Sequence, residues 1–393
     1  MMQGFPPKPE AQVTLANWRS PPFHVWGFQH VREIVPSADI PNAPNAVWQL
    51  PSRPDDLSRI TFEHKGKRFD FESFLRGTDT DGIVILHRGG VVHEAYAHGM
   101  TRHTPHILMS VSKSLLGIIA GILIEKGVLD LDRGVADVIP ELGDTAFAGA
   151  TVGDLLDMRA GIHFDEDYLA TSGMIVDYRK SHGWNPREPG DPLSDMRSFF
   201  RNFKQSDGPH GGRFRYVSPN TDLLGWIIER VTNTRYADLV STQLWQPMGA
   251  ERSAYITVDR LGAPRCAGGV CATAMDLARI GQLIVQSGRR DGTAVIPVSW
   301  IDEITEHGDT EAWDHGDFAG YFPNLSMHYR HKWYVVRGVR PLLFALGVHG
   351  QYLFVDRTRQ VVVAKLSSQE LPLDSELILL TLAGVEAIRA QLD

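Results

Sequence analysis

The sequence predicts a mixed α/β (α+β) fold in which strands near both ends of the chain bracket a mainly helical middle. Three observations carry this. GIVILHRGGVVHEAYA (82–97) holds two β-branched runs around Arg88-Gly89-Gly90, a hairpin signal. WYVVRG (333–338), QYLFVD (351–356) and QVVVAKLSS (360–368) return to strand character late in the chain. Between them, from Asp130 to about Gln286, the pattern is helical and rich in loops.

The first 54 residues hold ten of the 23 prolines, which forbids long helices there. They also carry Trp18, Phe23, Trp26, Phe28 and Trp48, which a disordered tail would lack, so an extended arm wrapped on the body is expected. Ser110 to Gly127, SVSKSLLGIIAGILIEKG, is apolar almost all round: a buried helix closed by Gly127. TVGDLLDM (151–158), NTDLLGWIIERVTN (220–233, starting near Asn220 or Thr221) and TAMDLARIGQLIVQSG (273–288) have helical spacing with capping residues at their starts. Val295 to Glu303 and Glu376 to Leu392 add two more helices. No internal repeat is visible.

The chain has 393 residues, the length of a two-lobed enzyme. Its net charge of −8 and the lack of any lysine or arginine run argue against nucleic acid or an anionic membrane as partner. The longest apolar run, Leu115 to Ile124, is half of the roughly 20 residues a bilayer requires. MMQGFPPKPEAQ has no basic region followed by an apolar core, so no secretory signal is expected and the chain reads as cytoplasmic. Cys266 and Cys271 are expected to be small buried residues rather than a disulfide framework or metal ligands. His93-Glu94-Ala95-Tyr96-Ala97-His98 has one residue too many for a zinc H-E-x-x-H and sits in a strand pattern. The pairs His103/His106 and His328/His331 are expected on water-exposed loops. No metal site and no organic cofactor is implied. G-x-S-x-G, P-loop and G-x-G-x-x-G motifs are all absent.

Ser110-Val111-Ser112-Lys113 fits S-x-x-K. Residues three apart share one helix face, close enough to hydrogen-bond. A serine hydroxyl needs a base to act as nucleophile, and a lysine can serve once burial and the positive helix N-terminus lower its pKa. The bland alternative is an N-cap serine beside a surface lysine. Tyr216-Val217-Ser218-Pro219-Asn220 follows, placing Tyr216 on the loop just before a helix, where a phenol can relay a proton. Its bland alternative is a buried structural tyrosine.

SVSKSLLGIIAGILIEKGVLDLD, TVGDLLDMRAGI, YVSPNTDLLGWIIERVTN, GGVCATAMDLARIG and GVHGQYLFVD, in that order, resemble the superfamily of serine β-lactamases, DD-peptidases and family VIII esterases. The resemblance spans about residues 60–393 and is strongest to the branch of 6-aminohexanoate-dimer (nylon oligomer) hydrolases. It implies a β-lactamase-like fold, an antiparallel sheet flanked by helices with an inserted, mainly helical domain. The expected division is 1–58 as arm, 59–127 and 287–393 as α/β domain, and 128–286 as helical domain. It also implies Ser110 as nucleophile, Lys113 as its base and Tyr216 as relay. The expected oxyanion donors are the backbone amides of Ser110 and Val348. Tyr168, Arg179, Trp184, Ala267 and His349 are expected to line the substrate site.

Two departures shape the reading. There is no K-T-G; His349-Gly350-Gln351 stands in its place, which argues against penicillins and peptidoglycan stems. An ammonium tail would require an acid, yet Asp177 is followed by Arg179 and Lys180. Arg179 is expected to face the cleft and disfavour such a tail. The sequence therefore predicts a serine hydrolase of small esters or linear amides. A β-lactamase or D-amino-acid peptidase is the first alternative, and a catalytically silent binding module the second. The expected partner is the small-molecule substrate; the sequence leaves room for a homodimer and does not set the oligomeric state.

Overall fold

A computed structural model describes residues 1–393. The early hairpin forms as Thr80–His87 (β1) and Gly90–Tyr96 (β2). Arg88 and Gly89 between them have φ of 47° and 78°, the paired positive values of a tight hairpin turn. The late strands are Met327–Arg330 (β3), Trp333–Val336 (β4), Leu342–Gly347 (β5), Gln351–Asp356 (β6) and Val361–Ser367 (β7). Together they make one seven-stranded sheet of order β3-β4-β5-β6-β7-β1-β2. Every neighbouring pair is antiparallel. β1, early in the chain, pairs with β7 near its end, so the sheet brackets the inserted middle.

Both faces of the sheet are covered, which is why its strands read as continuous apolar runs instead of alternating ones. Val84, Leu86, Val362 and Ala364 join a core shared with the helices Val111–Glu125 (α1), Ser218–Thr232 (α2) and Ala274–Val285 (α3). Ile83, Ile85, Val361 and Val363 join the core under the last helix, Ser375–Gln391 (α4). α1 is buried on all sides, and two glycines permit it. A Cβ on Gly117 would stand 2.2 Å from the His331 carbonyl oxygen, and one on Gly121 2.3 Å from the Trp300 indole. No helix is long and apolar enough to cross a membrane.

The arm is docked. Ser37–Ile40 pairs with Ala254–Thr257, at the edge of a four-stranded sheet that also holds Val270–Ala272 and His106–Ile107. Trp18 is buried and meets Trp184 edge to face at 5.2 Å. Two expectations need correction. α2 begins at Ser218, because Pro219 fits the first turn of a helix, where no N–H is required; Asn220 is therefore inside it. His106, His328 and His331 are buried, not water-exposed. His106 Nε2 lies 3.2 Å from Asp81, His328 meets the Ile304 carbonyl at 2.9 Å, and His331 stacks on Trp300 at 3.9 Å.

Candidate active site

Ser110 stands at the mouth of α1, after Met109 turns the chain at φ 45°. One helical turn later the Lys113 ammonium nitrogen lies 2.8 Å from Ser110 Oγ and 2.7 Å from the Ala267 carbonyl oxygen. Lys113 is 1 % exposed. Burial pushes its pKa down to about 7; Glu166 and Asp222 oppose that shift and Arg265 reinforces it. A lysine so placed is poised between charged and neutral forms at neutral pH, as a general base must be.

Tyr216 precedes α2 and lies against the same pair. Its ring centre is 4.9 Å from Lys113 Nζ. Burial raises the phenol well above its ordinary value, against the pull of the Ser110 and Tyr334 hydroxyls, so Tyr216 keeps its proton near neutrality. Its ring stacks on Phe318 at 4.6 Å, which fixes its plane.

The chain end of β5 closes the other side. A Cβ on Gly347 would stand 3.0 Å from the Ser110 nitrogen and 2.7 Å from the Leu108 carbonyl oxygen, so glycine lets this strand reach Ser110. The neighbouring His349 N–H is spent on the Pro372 carbonyl at 2.9 Å. The Ser110 and Val348 amides have no such acceptor in the protein, and both residues face the same cavity of about 450 Å³. His349 lines it as well; its Nδ1 lies 2.7 Å from the Gln369 carbonyl, and burial pushes its pKa down to about 3, leaving a neutral ring.

The other residues expected from sequence line this cavity too, with different work to do. Ala267 offers its backbone: its N–H donates to Asp222 at 2.8 Å while its carbonyl receives Lys113. Trp184 donates to Thr257 Oγ1 at 3.1 Å, and its Cη2 would lie 3.3 Å from a Cβ on Gly268. Tyr168 is half-buried in the wall. Arg179 reaches the cavity, but its guanidinium donates to the carbonyls of Asp167, Tyr168 and Ala170 at 3.0 to 3.1 Å. It ties down the loop that carries Tyr168. Asp177 is exposed.

Several residues of the site were not expected there from sequence. Glu166 accepts from the Ser218 N–H at 2.8 Å and its hydroxyl at 2.5 Å, pinning the segment after Tyr216. Asp222 pairs with Arg265 and accepts from the Tyr178 hydroxyl. An acid inside the apolar α2 pattern was a signal for it, since an acid is rarely buried unpaired. Trp18 and Arg19 of the arm complete the wall, and nothing local in the sequence ties them to a cleft 90 residues later.

The chain resembles known proteins along most of its length. The family described as Beta-lactamase matches residues 71–385. A 6-aminohexanoate-dimer hydrolase of Paenarthrobacter ureafaciens is 34 % identical over 365 residues, 93 % of this chain and 90 % of that protein. A solved structure from Bacillus anthracis, provisionally named a 6-aminohexanoate-dimer hydrolase, superposes with a TM-score of 0.88 at 26 % identity over 98 % of both chains. A family VIII carboxylesterase shares the fold, with a TM-score of 0.59 at 15 % identity over 80 % of this chain and 95 % of its own.

Proposed function

The chain belongs to the beta-lactamase family and is a hydrolase, and from that premise we propose that it cleaves small esters or linear amides through an acyl-enzyme on Ser110. The observation that carries the reading is the 2.8 Å contact between Ser110 Oγ and a buried Lys113 whose pKa lies near 7. Neutral Lys113 accepts the Ser110 proton as Oγ attacks the carbonyl carbon. The oxyanion that forms accepts hydrogen bonds from the Ser110 and Val348 amides. Tyr216, protonated because it is buried, gives its proton to the departing oxygen or nitrogen and is reprotonated from Lys113. The bond to the leaving group breaks and the acyl group stays on Ser110. Water then attacks along the same relay run in reverse, releasing the acid and restoring the serine.

The substrate class follows the names of the relatives, a 6-aminohexanoate-dimer hydrolase and a carboxylesterase. Labelling with a fluorophosphonate tests the nucleophile. Wild type should be modified once per chain with loss of p-nitrophenyl butyrate hydrolysis, and Ser110→Ala should stay unmodified. Labelling of the variant at the wild-type rate would refute the assignment.

A further inference from the structure

Three arginines stand in the wall of the cavity; one is charge-paired and one is bound to backbone carbonyls. Arg265 is paired with Asp222, and Arg179 is held by three backbone carbonyls. Arg19, half-buried on the arm, is different. Its hydrogen bond goes to the Asn185 side-chain oxygen, it forms no ion pair, and its Nε is buried with no acceptor. Its guanidinium carbon lies 5.5 Å from the Trp18 ring centre and 5.7 Å from that of Trp184. Burial, then Arg179 and Arg265, push its pKa down to about 9, so it is still a cation at neutral pH. A partly desolvated cation without an ion pair gains from a counter-ion. The protein's own acids do not provide one: Glu166 is turned to Ser218, and Glu370 at the rim is exposed.

We propose that Arg19 sets substrate specificity by receiving a terminal carboxylate on the tail of a linear ester or amide. This rests on the hydrolase reading above. Trp184 sets the reach. The Cβ position on Gly268 that lies 3.3 Å from its Cη2 is also 3.8 Å from the Met109 carbonyl carbon, beside Ser110. Arg19 is thus one indole ring removed from the reacting serine. A methylene tail laid along that indole brings a carboxylate, several carbons from the scissile bond, to the guanidinium fork, whose planar donors suit it. An ammonium tail meets like charge there. The residue expected from sequence for this discrimination was Arg179; we assign the role to Arg19, because Arg179 is bound to three carbonyls and Arg265 is neutralised by Asp222, whereas Arg19 has no ion pair.

Two measurements test this separately from the hydrolase reading. The first is binding without turnover: hexanoate against 1-hexanol, titrated by indole fluorescence in wild type, Arg19→Gln and Arg19→Lys. Hexanoate should bind about tenfold or more tightly than the alcohol in wild type, lose that advantage in Arg19→Gln and regain part of it in Arg19→Lys. The second is turnover of mono-p-nitrophenyl adipate against p-nitrophenyl hexanoate, and of 6-acetamidohexanoate against its methylamide. The acidic member of at least one pair should be favoured, through KM, and only while Arg19 is present. Equal binding of hexanoate and hexanol in wild type, or a preference that survives Arg19→Gln, overturns the carboxylate site while leaving the hydrolase reading intact. Arg19-dependent hexanoate binding with no hydrolysis of any ester or amide sinks the hydrolase reading and leaves the site standing.

Discussion

Two buried lysines of this chain each touch a serine hydroxyl. Lys113 reaches Ser110 at 2.8 Å at the start of α1, and Lys365 reaches Ser367 at 2.5 Å at the end of β7. Burial pushes both down to about 7. The surroundings separate them. Ser110 lines the cavity, with a free amide of its own and the Val348 amide beside it. Ser367 is sealed in the sheet, and its N–H is tied to the Gln351 side chain at 3.1 Å. Lys365 completes its bonding on the Thr78 carbonyl at 3.2 Å. On the proposed reading, access and oxyanion donors, and not a lowered lysine beside a serine alone, make a catalytic unit.

Substitution should split the two sites sharply. Lys113→Ala and Tyr216→Phe should each lower kcat for p-nitrophenyl butyrate by about a thousandfold or more, and the double variant should lose little beyond either, because the groups act as one relay. Lys365→Met should keep kcat within about threefold of wild type if its role is structural. A catalytic loss at Lys365 matching that at Lys113 would erase the distinction.

Smaller effects sharpen it. Nitrocefin should be turned over about a hundredfold less efficiently than p-nitrophenyl butyrate, since His349, neutral in the cavity wall, offers no charge to the β-lactam carboxylate. A higher kcat/KM for nitrocefin would favour the β-lactamase alternative. The value near 7 for Lys113 predicts that kcat/KM rises as pH climbs through about 7, because only the neutral amine accepts the serine proton. A flat profile from pH 6 to pH 8 would contradict that assignment.

The mildest effect is on stability. The folded value of Lys365, about 7, lies below its ordinary 10.5. Between those values the unfolded chain holds the extra proton, so this group makes stability rise with pH. Lys365→Met removes that slope, so its stability relative to wild type should fall by on the order of 1 kcal/mol between pH 6 and pH 8. Chemical denaturation at the two pH values measures it.

The same contrast marks how far the sequence could be read. S-x-x-K announces itself because its residues are one helical turn apart, and the sheet because its strands are continuous apolar runs. The motif order carried the fold and the family. The neutral His349, the carbonyl-bound Arg179 and the Arg19 without an ion pair were not legible, because contacts with residues distant in sequence decide each one. Glu166 and Asp222 act across 52 and 45 residues of chain, on Ser218 and Ala267. The histidines expected in water are buried because their partners, Asp81 and Ile304, come from elements distant in sequence.

The most direct test of the central claim is mass spectrometry of the protein quenched in acid after a short pulse of p-nitrophenyl butyrate. The predicted result is a butyryl group on the peptide carrying Ser110 in wild type and none in Ser110→Ala, with that variant folded and inactive. A butyryl group on Ser367 or any other residue, or full turnover by Ser110→Ala, would contradict it.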